Sequence, residues 1–222
     1  MVRNLTAARY HGIIGFTMLF QQLLIFLKAP RSGQVKTRLI PALDENGACA
    51  AYQQLVKTLL ARIGSVQDVC LYYTPVDAEG EIQGWTRPGW QVRPQASGDL
   101  GDRLHSAFVE SFMRGTQRVV IIGSDCPVVS PEDIHSAWAA LETDDVVLGP
   151  ATDGGYWLIG LRQPQPVLFS EMAWSTTTVF RDTLARAGAV GLTVKILREL
   201  SDVDTEADWK AFLNSQKSQV NL

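Results

Sequence analysis

Cysteine is scarce in this 222-residue chain: Cys49, Cys70 and Cys126 are the three present, and none forms a C-x-x-C pair. An odd, scattered set speaks against a disulfide framework or a structural zinc and fits a reducing cytoplasm, the expected location. Histidine is equally sparse, and His11, His105 and His135 share no metal-ligand spacing. Charged residues make up 19% of the chain and the net charge is −3, so no basic excess exists to release counterions from nucleic acid. Nucleic acid is therefore not an expected partner. The usual phosphate and nucleophile signatures are missing too. Gly33-Gln34-Val35-Lys36-Thr37 lacks the adjacent Gly-Lys and the earlier glycine of a Walker A loop, and neither G-x-G-x-x-G nor G-x-S-x-G occurs. There are no internal repeats and no low-complexity tract.

The N-terminus carries Arg3 and Arg9 ahead of a run from Ile13 to Leu27 that is apolar apart from Gly15, Thr17, Gln21 and Gln22. That outline resembles a signal peptide, but no small-x-small cleavage site follows it, and Leu23–Leu27 is needed as a core strand. Residues 1–17 are expected to be an extension, with Met18 as an alternative start. A single domain is expected over 18–214, with a tail over 215–222. No membrane span is expected.

What is present is an alternation of short apolar runs and amphipathic segments. Leu23–Leu27, Val69–Tyr73, Val119–Ile122, Asp145–Leu148, Tyr156–Leu161 and Leu192–Leu197 have strand length. Between them, Asp44 is placed to cap a helix with Ala48, Ala51, Leu55, Leu59 and Ile63 on one face, stopped by Gly64. Asp102 starts a helix bearing Leu104, Phe108 and Phe112, and Ser130-Pro131 starts another. A further helix spans Thr177–Ala187 and stops at Gly188, and the last begins near Thr205. Pro75–Gln95, rich in Gly, Pro and Trp, is expected to be a long connection. Strands that are continuously apolar rather than alternating predict an α/β fold with a mostly parallel sheet covered on both faces.

The charged residues cluster at the ends of these strands. Lys28, Arg31, Lys36 and Arg38 lie in the segment K-A-P-R-S-G-Q-V-K-T-R-L, which contains no carboxylate. Such a loop can hold phosphates, with backbone N–H groups near Gly33 facing the anion; a solvated basic loop is the competing reading. Asp125 stands just beyond an apolar strand, where ligands bind in open α/β sheets, and a carboxylate there suits Mg²⁺ or Mn²⁺. Its alternative is a turn aspartate before Pro127. Asp202 and Asp204 alternate in an extended segment and can face one site, although Asp204 or Thr205 could equally cap the last helix. Asp153-Gly154-Gly155 is a hairpin turn or a general base beside two glycines that admit a substrate. Asp99, Gly101 and Arg103 cap a helix or touch a nucleotide, and Trp174 lines an acceptor pocket or is buried. Taken together, cations after one strand and carboxylates after others describe a metal–diphosphate site.

Five segments occur in a fixed order: K-x-P-x-x-G-x-V-K-T-R-L, G-D-L-G-x-R, G-S-D-x-P, G-P-x-x-D-G-G-Y and D-V-D-T. In this the chain resembles a family of bacterial GT-A-like nucleotide-diphospho-sugar transferases, from about Leu23 to Leu213. The resemblance implies a GT-A fold, a mixed and mainly parallel sheet with helices on both faces. It also implies a metal-dependent enzyme that takes a nucleotide-sugar, transfers the glycosyl group to a small-molecule acceptor, and uses Asp125, Asp153 and Lys36 in catalysis. Ser124-Asp125-Cys126 departs from the D-x-D of metal-dependent glycosyltransferases. A lone strand-end aspartate with a distant partner looks more like a nucleotidyltransferase acting on a nucleoside triphosphate. The nearest likeness of that kind is to guanylyltransferases acting on phospho-lactate, whose loop also ends in Lys-x-Arg-Leu. A non-catalytic nucleotide-binding protein is the third reading. Base, sugar, acceptor, stereochemical outcome and oligomeric state are left open.

Overall fold

The computed structural model describes residues 20–220; the extension expected over 1–17 and the alternative start at Met18 lie outside them. Seven strands form one sheet: β1 (Gln21–Lys28), β2 (Val69–Thr74), β3 (Gln91–Pro94), β4 (Arg118–Ile122), β5 (Val146–Pro150), β6 (Tyr156–Leu161) and β7 (Val194–Ile196). Their order is β3-β2-β1-β4-β6-β5-β7. The pairs β1–β2, β1–β4, β2–β3 and β5–β7 are parallel, and β6 runs antiparallel to both β4 and β5. The helices are α1 (Ile40–Arg62), α2 (Glu79–Ile82), α3 (Leu100–Met113), α4 (Pro131–Ala140), α5 (Val179–Ala189) and α6 (Glu206–Val220).

The continuous apolar strands are explained by what lies on each face. Side chains alternate along a strand, so Leu23, Ile25 and Leu27 enter one core with Leu59, Ile63, Ile134 and Trp138 of α1 and α4. Leu24 and Phe26 enter the opposite core with Leu104, Phe108 and Ala187 of α3 and α5. Both faces are covered, and β1 has no polar side to show. Each such leucine, fully buried, is worth roughly 1.5–3 kcal/mol. A third cluster joins α6 to α1: Trp209, Phe212 and Val203 pack on Leu39, Ala48, Ala51 and Leu55. That contact brings the C-terminal segment alongside the basic loop.

Four local expectations are corrected. The Pro75–Gln95 connection holds the edge strand β3, whose short Gln91–Pro94 run carries too little apolar patterning to be seen. Helix α3 starts at Leu100, because Asp99 accepts from the Asp102 N–H while Asp102 accepts from the Asp99 N–H, a reciprocal cap in which Asp102 is the inner partner. Gly188 lies inside α5, where it is helical and exposed; the chain turns instead at Gly191, φ +74°. Asp44 does cap through Gly47 N–H at 2.8 Å, but a turn of helix precedes it and Asp44 itself, at φ 58°, is the kink between the two pieces. At the other end, α6 continues past position 214 as far as Val220.

Candidate active site

Strands β1 and β4 are parallel neighbours whose following connections leave in opposite directions, toward β2 and β3 on one side and toward β6, β5 and β7 on the other. The crevice at the carboxyl ends of such a pair is where open α/β sheets bind ligands. The basic loop follows β1 there, and Gly123-Ser124-Asp125 follows β4. Hairpin 151–155 follows β5, and the segment leading to Asp202 and Asp204 follows β7. These four of the charged stretches singled out in the sequence therefore leave the same edge of the sheet.

The loop after β1 is fixed by its apolar members. Val35 and Leu39 are buried, and Lys36 between them adopts a left-handed conformation (φ 48°, ψ 42°) that turns its side chain inward. The ammonium is 3% exposed and lies 2.6 Å from Asp125 Oδ1 and 3.1 Å from Asp204 Oδ1. Burial alone would lower the Lys36 pKa, but the charges and hydrogen bonds of Asp125 and Asp204 outweigh it and raise the value. Arg38 Nη1 reaches Asp204 Oδ2 at 2.8 Å from a largely exposed position. Asp204 is free to do this because Thr205 caps α6: its Oγ1 accepts from Asp208 N–H while Asp208 accepts from Thr205 N–H. The backbone of this segment is tied to the β4 loop by Val203 N–H donating to Asp125 O at 3.0 Å.

Asp202 lies in the same field. Its carboxyl is pushed up to about 7, first by burial and then by the negative charges of Asp125 and Asp153, against a lowering by Lys36. Asp153 accepts from Gly155 N–H at 2.8 Å in the hairpin turn expected of Asp-Gly-Gly. Gly154, at φ +90°, has no room for a Cβ, which would run into the Thr177 backbone. Gly154 thus lets the 172–178 loop close on the hairpin, with Phe180 N–H donating to Gly154 O at 2.9 Å.

Other expected residues are held elsewhere. Arg31 is taken by Glu81 (2.6 Å) and Asp77 (3.2 Å) beside α2. Gly33, at φ +75°, has the Glu45 carboxylate 3.3 Å from where a Cβ would stand. Lys28 engages Tyr52 through its backbone, and its exposed ammonium forms no ion pair among the described residues. Asp99 caps α3, and Arg103 Nε donates to Gly98 O. A Cβ on Gly101 would stand 2.7 Å from Phe169 O and 2.8 Å from the Trp174 indole nitrogen, so this glycine permits close packing of α3 on the 169–174 segment. The indole N–H of Trp174 is buried without a hydrogen-bond partner among the described residues.

Sequence reasoning missed Tyr52. Its buried hydroxyl receives Lys28 N–H, donates to Lys28 O and lies 3.3 Å from the buried Ser124 hydroxyl, so it ties the ends of β1 and β4 together. Its place four residues after Ala48 and three before Leu55, on the buried face of α1, was the available signal. The carboxylates of Glu45, Asp77 and Glu81 were missed as well, since none is near the basic loop in sequence except Glu45.

The donor set suits a hard divalent cation. Asp125, Asp202 and Asp204 offer oxygen alone, and burial, with the charges of Asp125 and Asp153 after it, disfavours the ionised Asp202, a penalty that a cation would relieve. Among the described residues no three acidic, His or Cys side chains already surround one point as a closed cage. Mg²⁺ does not require one, since it usually takes one or two carboxylates with substrate phosphates.

A family model for an uncharacterized protein conserved in bacteria (DUF2064) matches residues 58–176. A crystal structure from Desulfovibrio desulfuricans G20, of a protein named provisionally as a nucleotide-diphospho-sugar transferase, is 32% identical with a TM-score of 0.84, over 90% of this chain and 89% of that one. The chain belongs to the DUF2064 family. No curated protein matches it significantly. Its fold is shared with the 4-diphosphocytidyl-2C-methyl-D-erythritol synthase of Anaerococcus prevotii (11% identity, TM-score 0.56, 88% of this chain and 99% of that). The inositol-1-phosphate CTP transferase of T. maritima is similar to a like degree (12%, 0.56, 93% and 98%). The DUF2064 chain thus has the nucleotide-diphospho-sugar transferase fold that the ordered motifs implied. No helix among its described residues is long and apolar enough to cross a membrane.

Proposed function

We propose that the protein is a metal-dependent transferase that takes a nucleotide-diphospho-sugar and moves its glycosyl group to a small acceptor, within one domain that begins near residue 18. The observation that carries this reading is the meeting of Lys36 with Asp125 and Asp204 at the β1/β4 crevice. The name of the relative at 32% identity supports the donor class. Asp125, with Asp202 and Asp204, would hold Mg²⁺ or Mn²⁺, which supplies charge to neutralise the diphosphate as it leaves. Lys36, Arg38 and the unpaired ammonium of Lys28 hold the phosphates from the protein side. Arg31 and Gly33 stand in the same loop, but Arg31 joins only by leaving Asp77 and Glu81. Asp99, Gly101, Arg103, Gly154 and Gly155 shape the walls through the α3 cap and the hairpin. Asp153 orients the acceptor hydroxyl and takes its proton as the bond from sugar to diphosphate breaks.

A second reading, nucleotidyl transfer from a nucleoside triphosphate to a phosphorylated small molecule, is favoured by the single carboxylate of Ser124-Asp125-Cys126. The product distinguishes the two. Sugar nucleotides incubated with acceptors and Mg²⁺ should release nucleoside diphosphate. Release of pyrophosphate from a triphosphate, with none from sugar nucleotides, would transfer the assignment to the second reading. Release of neither, with nucleotide still bound, would leave a binding protein.

A further inference from the structure

Lys36 occupies the place where the carboxylates that would hold the metal converge. Among the described residues it is the one ammonium that touches Asp125 and Asp204 together, and its 3% exposure leaves it little water of its own. The two carboxylates, in contrast, are open on their other side, with side-chain exposures of 49% and 42%. Among the described residues no backbone carbonyl or hydroxyl accepts from the ammonium, so the charged hydrogen bonds to these two carboxylates hold it in place. Its left-handed backbone aims it there from a loop in which Arg31 is held away by Asp77 and Glu81 and Arg38 reaches Asp204 alone from an exposed position.

We propose that Lys36 is a built-in counter-ion that keeps the acidic ligands assembled in the empty enzyme and hands them over on loading. Its ammonium then turns from Asp125 and Asp204 to the diphosphate of the incoming nucleotide. The inference rests on the metal–diphosphate reading above and adds an order to it. Cation alone must compete with Lys36 for the two carboxylates. Cation arriving with a diphosphate need not, because the phosphates offer the displaced ammonium a new partner. The two ligands are therefore coupled, and by linkage the coupling is reciprocal.

The test is Lys36→Met, with Lys36→Asn as a second variant because asparagine accepts the left-handed backbone. Two probes are used: Mn²⁺ alone, followed by electron paramagnetic resonance, and inorganic pyrophosphate in excess Mg²⁺, followed by calorimetry. The two affinities should move in opposite directions. Removing Lys36 should tighten Mn²⁺ binding by about ten-fold, a size typical of coupling between sites, and weaken pyrophosphate by a similar factor. A loop merely damaged by the substitution would weaken both. Mn²⁺ affinity that falls or stays unchanged in both variants overturns the counter-ion role, and unchanged or tighter pyrophosphate binding overturns the handover. If the wild-type protein binds pyrophosphate equally well in EDTA, Lys36 replaces the metal permanently and the proposal fails. Should the wild type bind neither probe, the metal–diphosphate reading falls first and takes this inference with it.

Discussion

Two buried cations stand at opposite edges of the same sheet, and their surroundings differ in kind. Arg118, at the start of β4, is 8% exposed; it donates to Trp138 O and Glu142 Oε1 and lies over the Phe20 ring, 4.4 Å from its centroid. One charge meets one charge, and a carbonyl and an aromatic face complete the shell. Lys36, beyond the end of β1, meets two carboxylates and has no neutral acceptor among the described residues. With Asp202 and Asp153 in the same field, four carboxyls at that edge share the two cations Lys36 and Arg38. A structural ion pair is balanced locally. The unbalanced cluster implies a partner from outside the chain.

Asp125→Ala should break the comparison most severely. It removes the carboxylate nearest Lys36, and loss of a group that stabilises transition-state charge costs about 10³-fold in kcat/KM. The release of nucleoside diphosphate or pyrophosphate measures it. Unchanged nucleotide affinity with and without metal in this variant would remove Asp125 from the metal assignment.

The next largest effect falls on stability rather than chemistry. Gly154→Ala forces a Cβ into the Thr177 backbone at φ +90°, and should cost roughly 2–4 kcal/mol in thermal or urea unfolding. A cost below about 1 kcal/mol would mean that the 172–178 loop can move off the hairpin.

Arg118→Met probes the balanced edge. The stem keeps its packing while the bonds to Trp138 O and Glu142 are lost, so stability should fall by about 1–2 kcal/mol. kcat/KM should stay at the wild-type value, because this edge lies at the far end of the strands. A cavity of about 450 Å³ lined by Phe20, Arg118, Glu142 and Arg162 is located there, away from the carboxylates. If turnover falls with Arg118, the two edges are coupled and the contrast between them loses its meaning.

How far the sequence revealed this contrast depended on distance along the chain. The strand runs, the Ser130 cap and the Asp153 hairpin were legible, because periodicity and turn chemistry act over a few residues. What could not be read was the pairing. The loop from Lys28 to Leu39 contains no carboxylate and looked uncompensated, yet Arg31 is answered by Glu81 and Lys36 by Asp204. Those partners stand 50 and 168 residues away in the chain, and only the fold brings them together. The capping role was ambiguous between Asp204 and Thr205 for the same reason. The packing of Trp209 and Phe212 on α1 fixes which of the two faces the helix and which faces Lys36.

The smallest predicted effect is a slope. Two carboxyls of this region are displaced from their ordinary 3.8 in opposite directions, and their contributions to stability carry opposite signs. Burial would raise Asp133, but its bonds from Arg198 at 2.7 Å prevail and lower it. Its contribution is present above 3.8 and is lost as pH falls through the lowered folded value. Asp202, raised to about 7, keeps an extra proton in the folded state across the window from 3.8 to about 7. Its contribution is full below 3.8 and is lost as pH rises through about 7. Asp202→Asn removes that loss without removing the side chain. In metal-free buffer the variant should melt close to the wild type at pH 3.8 and above it at about pH 7, the gap opening between these values and staying level at higher pH. A gap that does not change with pH would mean that Asp202 titrates as an ordinary aspartate. Asp125 and Asp204 alone carry no surplus of charge, because Lys36 and Arg38 already answer them.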